Sequence, residues 1–331
     1  MDNLDLWEWF GKRTFHFNQF EPISQLREAR ERLGTTVSVA IPARNEAATI
    51  GRIVRVLRRA LLERSRLVDE IVVMDGGSTD DTAALARAEG ATVFAEDEVL
   101  PETGAATGKG EGLWKSLHVC QGDIICWVDA DIRNIHPRFV YGLVGPLLTD
   151  PSIGYTKAFY ERPIRERNVM QPSGGGRVTE LLARPLLNLF WPSLAGVVQP
   201  LSGEYAGRRE VLEQVPFSTG YGVELGLLID IATRFGLDSI AQVDLESRIH
   251  RNQDTHALSR MSFGIMQTAL TRLADDGRLG PESYSTTLYQ FSNRLREYHI
   301  QPHQITILER PPIATVDGYR RRREAVMAGR T

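Results

Sequence analysis

At 331 residues, with 42% hydrophobic and 24% charged side chains, the chain exceeds one typical domain and can bury a large core. A formal charge of −3 gives no general reason to expect nucleic acid or an anionic membrane as partner. The basic run Arg320–Arg323 reads as a solvated helix or tail, and Cys120 and Cys126, in apolar surroundings, read as buried free thiols of a reducing, cytoplasmic setting.

The first 34 residues read as an N-terminal arm. Its start, Met1-Asp2-Asn3-Leu4-Asp5, is acidic where an export signal would be basic. Trp7, Trp9 and Phe10 are docking residues for the core or for a second copy of the chain, and a homodimer is expected. Val37, Val39 and Ile41 then alternate with small or polar residues into Pro42-Ala43-Arg44-Asn45-Glu46, and Ile50, Ile53, Val54 and Leu57 follow at helical spacing. The same strand, loop and helix recur at Ile71–Met74 and Asp75-Gly76-Gly77-Ser78-Thr79-Asp80-Asp81-Thr82, with a third strand at Ala91–Phe94. Repetition of this unit predicts an α/β fold with a mostly parallel sheet, whose ligands sit beyond the carboxyl ends of the strands.

Lys109 stands between two glycines before an amphipathic helix with Leu113, Trp114 and Leu117. It is placed either as an ordinary loop lysine or to reach a phosphate near a helix N-terminus. The next strand, Asp123–Val128, runs into Asp129-Ala130-Asp131. Side chains two apart share a strand face, so these carboxylates converge. Asp-x-Asp caps turns in many proteins; here it also suits Mg²⁺ or Mn²⁺, which takes one or two carboxylates and completes its shell with substrate phosphates.

Farther on, Gly174-Gly175-Gly176-Arg177 precedes an apolar helix and is either a hinge or a second anion site. Pro185–Gly203 is uncharged and approaches the ~20 residues of a membrane span. Pro192 and Pro200, with Asn188, Ser193, Gln199 and Ser202, predict a helix end, buried loop and strand instead, so no membrane insertion is expected. Glu224 opens a helix, where it complements the dipole or handles an acceptor proton. Leu288, Phe291 and Leu295 are spaced as in a helix, and Pro311-Pro312 precedes a final charged helix.

These motifs together, with Gln199-Pro200-Leu201-Ser202-Gly203-Glu204-Tyr205, Gly220-Tyr221-Gly222-Val223-Glu224 and His250-Arg251-Asn252, resemble the glucosyl- and mannosyl-3-phosphoglycerate synthases, retaining GT-A enzymes of glycosyltransferase family 81. The resemblance covers about residues 35–255. It implies a GT-A core with a donor half at about 35–132 and an acceptor half at about 133–255, followed by a helical extension at 256–331. Asp131 and His250 would hold the metal; Pro42, Ala43, Arg44, Asn45, Glu46, Asp75, Gly76, Lys109 and Asp129 would bind the nucleotide sugar. Gly176, Arg177, Thr179 and Asn252 would hold 3-phosphoglycerate, with Glu224 positioning the acceptor.

Glucose-specific members carry an apolar residue at the position of Arg44, and an arginine can hydrogen-bond O6 and N7 of guanine, which tilts the donor toward GDP-mannose, with UDP-glucose as the alternative. A polyprenyl-phosphate glycosyltransferase shares the first three motifs but does not need the Gly-Gly-Gly-Arg loop. A nucleotide-sugar sensor would bind donor without turnover.

Overall fold

The computed structural model describes residues 3–162, 164–166, 169–171, 176–249, 254–280, 286–294 and 297–329. Helix α1 (Asn3–Arg13) runs into strand β1 (Thr14–His16), and α2 (Ile23–Leu33) follows. The repeating units are β2 (Val37–Ala43), α3 (Ile50–Leu57), β3 (Glu70–Asp75), α4 (Thr82–Ala88), β4 (Thr92–Ala95), α5 (Lys109–Val119) and β5 (Ile124–Trp127). Ile50, Ile53, Val54 and Leu57, the residues that carry the helical period of α3, are all fully buried. The second half comprises α6 (Arg138–Thr149), β6 (Tyr155–Glu161), the short hairpin β7 (Ile164–Glu166) and β8 (Val169–Gln171), then α7 (Arg184–Phe190) and β9 (Tyr205–Arg208). After α8 (Arg209–Leu212) and β10 (Phe217–Ser218) come α9 (Val223–Phe235) and β11 (Ile240–Ser247).

Eight strands form one sheet in the order β1-β11-β6-β9-β5-β2-β3-β4. Neighbours are parallel except β9, which runs antiparallel to β5 and β6. Strand β2 lies between β3 and β5, so the chain moves one way from β2 to β4 and returns on the other side of β2 at β5. A crevice opens beyond the carboxyl ends at such a switch point. The loops after β2 and β5 therefore form its walls.

Alternation along each strand divides the core into two layers. Ile71 and Val73 of β3 face the layer that holds α3 and Phe139 and Leu143 of α6, whereas Val72 and Met74 face Leu113 and Trp114 of α5 and Leu225 and Leu228 of α9. Strand β11 loses register with β6 between Asp244 and Ser247, and Glu246 adopts a left-handed φ of 65°. This bulge turns the chain across the end of the sheet. Arg133 N–H donates to Ile249 O at 3.0 Å and Ile249 N–H to Asn134 Oδ1 at 2.8 Å, pinning the segment that carries Arg248.

The N-terminal arm joins this sheet, since β1 pairs with β11. Trp9 is buried and donates to Leu237 O at 3.1 Å, whereas Trp7 is 71% exposed. Cys120 and Cys126 are buried free thiols, and no described helix is long and apolar enough to cross a membrane. Pro185–Gly203 forms α7 from its second residue onward and a 3₁₀ turn at Pro192–Gly196, but no strand.

The C-terminal region departs from an all-helical extension. It begins with α10 (Thr255–Asp275) and ends, after β14 (Glu309–Arg310), with α11 (Asp317–Ala328). Between them Leu288 and Phe291 lie in a hairpin of β12 (Thr287–Arg294) and β13 (Glu297–Gln304); Leu295 lies outside the described residues. Three apolar residues at intervals of three and four satisfy a helix, but Thr287, Tyr289 and Phe291 also alternate at strand spacing and favour strands, and cross-strand pairing decides.

Candidate active site

A cavity of about 730 Å³ opens at the switch point, within the size range of small-molecule sites. Pro42, Ala43, Arg44, Glu46 and Gly76 line one side, Lys109, Asp129, Asp131, Glu224 and Arg248 the floor, and Gly176, Arg177 and Thr179 the far side.

The floor is an ion network. Lys109 Nζ lies 2.6 Å from Asp129 Oδ1 and 2.9 Å from Glu224 Oε1. Arg248 Nη2 bridges the Asp-x-Asp pair, 2.7 Å from Asp129 Oδ2 and 2.8 Å from Asp131 Oδ1. Its Nε forms an ion pair with Glu204 Oε1 at 2.8 Å, and Glu204 Oε2 accepts from Tyr160 OH at 2.5 Å. Burial would raise the Asp129 carboxyl, but the Lys109 ammonium and then the Arg248 guanidinium outweigh it and hold it well below the usual range. Asp131 moves the other way: burial raises it against the pull of Arg248, and the Asp129 charge adds to the rise.

Close backbone approach makes this packing possible. A Cβ on Gly110 would come within 1.8 Å of Ser218 O, so only glycine lets the first turn of α5 press against β10. Arg310, on β14, clasps the buried Glu111 carboxylate at 2.7 and 2.9 Å and donates to Thr103 O and Gly104 O. That clamp holds the loop preceding α5 along the cavity wall. Thr49, at the start of α3, donates to Ala130 O at 2.6 Å and ties the Asp-x-Asp turn to the donor side.

The glycosyl transferase family 2 model matches residues 38–215. The glucosyl-3-phosphoglycerate synthase of Petrotoga mobilis is 51% identical over 310 residues, covering 93% of this chain and 95% of its own. The crystal structure of mannosyl-3-phosphoglycerate synthase from Rubrobacter xylanophilus matches with a TM-score of 0.87 and 41% identity, covering 94% and 98% of the two chains. The Mycobacterium tuberculosis glucosyl-3-phosphoglycerate synthase, in complex with Mn²⁺, UDP-glucose and phosphoglyceric acid, matches at 0.75 with 45% identity, covering 87% and 93%.

The chain belongs to the glucosyl-/mannosyl-3-phosphoglycerate synthase family. It is a glycosyltransferase with a GT-A fold.

Set beside the family's motifs, most of the expected site residues meet at this cavity. Asn45 and Asp75 do not line it. Asn45, at a left-handed φ of 58°, accepts from Thr79 N–H at 2.8 Å and so ties the β2 loop to the β3 loop, whereas Asp75 accepts from Ser78 N–H at 3.3 Å and braces its own turn. His250 and Asn252 lie outside the described residues, as do Gly174 and Gly175.

Four charged groups escaped the sequence reading. Arg248 stands two residues before His250, and Glu204 lies within a motif the family shares. Lys157 is fully buried within β6, where no motif marks it. Glu96 lines the donor side, where burial first and the Glu111 charge second raise its carboxyl to about 7.

The floor suits a divalent cation of the kind this family's solved structures contain. Two full cations, Lys109 and Arg248, face four carboxylates, Asp129, Asp131, Glu204 and Glu224. Among the described residues no three His, Cys, Asp or Glu form a closed metal cage. An open site of one carboxylate completed by substrate phosphates is the arrangement Mg²⁺ favours.

Proposed function

We propose that this enzyme transfers a hexose from a nucleotide sugar to the 2-hydroxyl of 3-phosphoglycerate with retention at the sugar carbon. The observation that carries this reading is the pairing of the Asp129–Lys109–Glu224 network with Gly176, Arg177 and Thr179 across one cavity. Pro42, Ala43, Arg44, Glu46, Gly76, Asp129 and Lys109 bind the donor, supported from beneath by Asn45 and Asp75. Lys109 turns from its carboxylates to the diphosphate. Gly176, Arg177, Thr179 and Asn252 hold the acceptor, and Glu224 positions its hydroxyl.

Asp131 and His250 would hold a divalent cation, Mg²⁺ or Mn²⁺, which when bound stabilises the charge that grows on the departing diphosphate. The acceptor oxygen attacks the face the diphosphate leaves. The bond from sugar carbon to phosphate oxygen breaks, the new glycosidic bond forms, and the acceptor proton passes to the departing phosphate oxygen.

The relatives' names and the UDP-glucose complex support glucose as the transferred sugar and UDP as its carrier, against the lean toward GDP-mannose read from Arg44. GDP-mannose stays as a second reading because Arg44 lines the cavity beside Glu96. Labelled UDP-glucose and GDP-mannose, each offered with 3-phosphoglycerate, with polyprenyl phosphate and with no acceptor, test the proposal. Product is expected with 3-phosphoglycerate alone; transfer to the lipid, or binding without transfer, would overturn it. Arg44→Leu, which removes a contact worth about 1–3 kcal/mol if it reads guanine, should lower GDP-mannose use more than UDP-glucose use.

A further inference from the structure

Lys157 sits in the sheet beside Tyr205, the ring that Lys109 of the ion network also approaches. It lies on β6 between Tyr205 of β9 and Gln242 of β11, fully buried, and its Nζ has no hydrogen-bond partner among the described residues. What it touches is the face of the Tyr205 ring, with Nζ 4.1 Å from the centroid. Lys109 Nζ lies 5.8 Å from the same centroid. An amine without a hydrogen bond in an apolar layer is costly, and a methionine would fill the space without that cost.

Four charged groups act on it. Glu224 of α9, Glu204 at the entry to β9 and Asp129 beyond β5 favour its protonation, and Lys109 of α5 opposes it. The buried hydroxyls of Tyr155 and Tyr205 complete the setting, and the partner of Lys157 across β11 is the neutral Gln242, whose side chain is committed to Thr14 and Gly196. Burial outweighs the favourable charges and brings the amine down to about 7, so near pH 8 it is largely neutral.

Glu224 is 6% exposed, and Lys109 is its ion-pair partner among the described residues. A ligand that draws Lys109 away leaves a buried carboxylate without its cation. We propose that Lys157 is the reserve cation of the donor site: when a nucleotide diphosphate engages Lys109, the Lys157 amine takes one proton from solvent, becomes an ammonium and balances Glu224. Donor binding is then coupled to proton uptake, and Lys157 acts as a positioning residue. This rests on the reading that Lys109 contacts the diphosphate.

Calorimetry separates the two claims. UDP, and GDP in parallel, are titrated at pH 8 and constant saturating Mg²⁺ in HEPES and in Tris, whose ionisation heats differ. The wild type should show buffer-dependent heats equivalent to uptake of roughly half to one proton per nucleotide. Lys157→Met should bind with equal heats in both buffers and melt at a higher temperature. Wild-type heats that match between buffers would overturn the coupling while leaving the donor site standing, whether or not the variant folds. Unchanged buffer dependence in Lys157→Met would also overturn it. No binding heat with either nucleotide would remove the donor reading and this proposal together.

Discussion

A methyl group at position 203 would stand 1.9 Å from Asp129 Oδ2 and 2.8 Å from Lys109 Nζ, so the missing side chain of Gly203 is the space the floor network occupies. Gly203→Ala should keep the fold but displace both groups, and a shift of this size costs about 100-fold in turnover. Steady-state kinetics beside an unchanged circular dichroism spectrum would check it. If Arg177 pairs with the acceptor's phosphate or carboxylate as proposed, breaking that contact should cost about 2–5 kcal/mol. Arg177→Ala should therefore raise acceptor KM steeply with donor affinity nearly intact, and Arg177→Lys should recover only part, because lysine lacks the two-pronged fork. Loss of donor affinity with unchanged acceptor KM would assign the loop to the nucleotide instead. Lys157 also leaves a mark on stability. Its amine falls from 10.5 to about 7 on folding, so between those values the unfolded chain binds more protons and stability rises with pH. Urea midpoints of the wild type relative to Lys157→Met should climb from about pH 7 toward pH 10, and a flat difference would contradict the buried neutral amine.

At the scale of elements, the site depends on how loops are held more than on which residues they carry. The first turn of α5 presents Lys109 because Arg310, from a strand some two hundred residues away in sequence, grips Glu111 and the carbonyls of Thr103 and Gly104. Lys115 lies 3.1 Å from the same carboxylate. Removing one partner of such a buried pair typically costs about 3–5 kcal/mol. Arg310→Met should lose stability on that scale in chemical denaturation and weaken donor binding through the loosened loop, although it touches no ligand. A second brace ties the sheet to the C-terminus: the buried Arg209 donates to Leu117 O, Cys120 O and Gly122 O, closing the end of α5, and to the hydroxyl of Tyr319 in α11.

Over the whole molecule, large apolar side chains stay exposed on α1 and on the helical run that follows the cavity residues Gly176–Thr179. Trp7 of α1 is 71% exposed, as are Leu181 at 80% and Leu189 at 73% on the helical run after Arg177. Helix α1 packs on Pro192–Gly196, the turn that follows α7, so these residues belong to neighbouring elements. Exposed apolar groups on neighbouring elements are where an association surface would form. The homodimer expected from the sequence should therefore use them. Sedimentation velocity should show a dimer for the wild type and a shift toward monomer in Trp7→Ser with Leu189→Ser; a monomeric wild type would refute it.

The chain itself determined the repeating strand–helix units, because alternation and the 3.6-residue period follow from backbone geometry alone, and it marked out segments that line the cavity, because Asp129-Ala130-Asp131 and Gly108-Lys109-Gly110 are local motifs. Only the tertiary structure decided what those loops meet. Arg248 reaches the Asp-x-Asp pair through a bulge in β11, Glu204 enters just ahead of β9 and Lys157 from β6, beside strands remote in sequence, and Asn45 spends its side chain on the adjoining loop. The same holds for residues 287–304, where helical spacing and strand alternation were both available and the hairpin was chosen by hydrogen bonding between two segments. Charge placement in a buried network depends on distances across the fold, and no period along the chain encodes them.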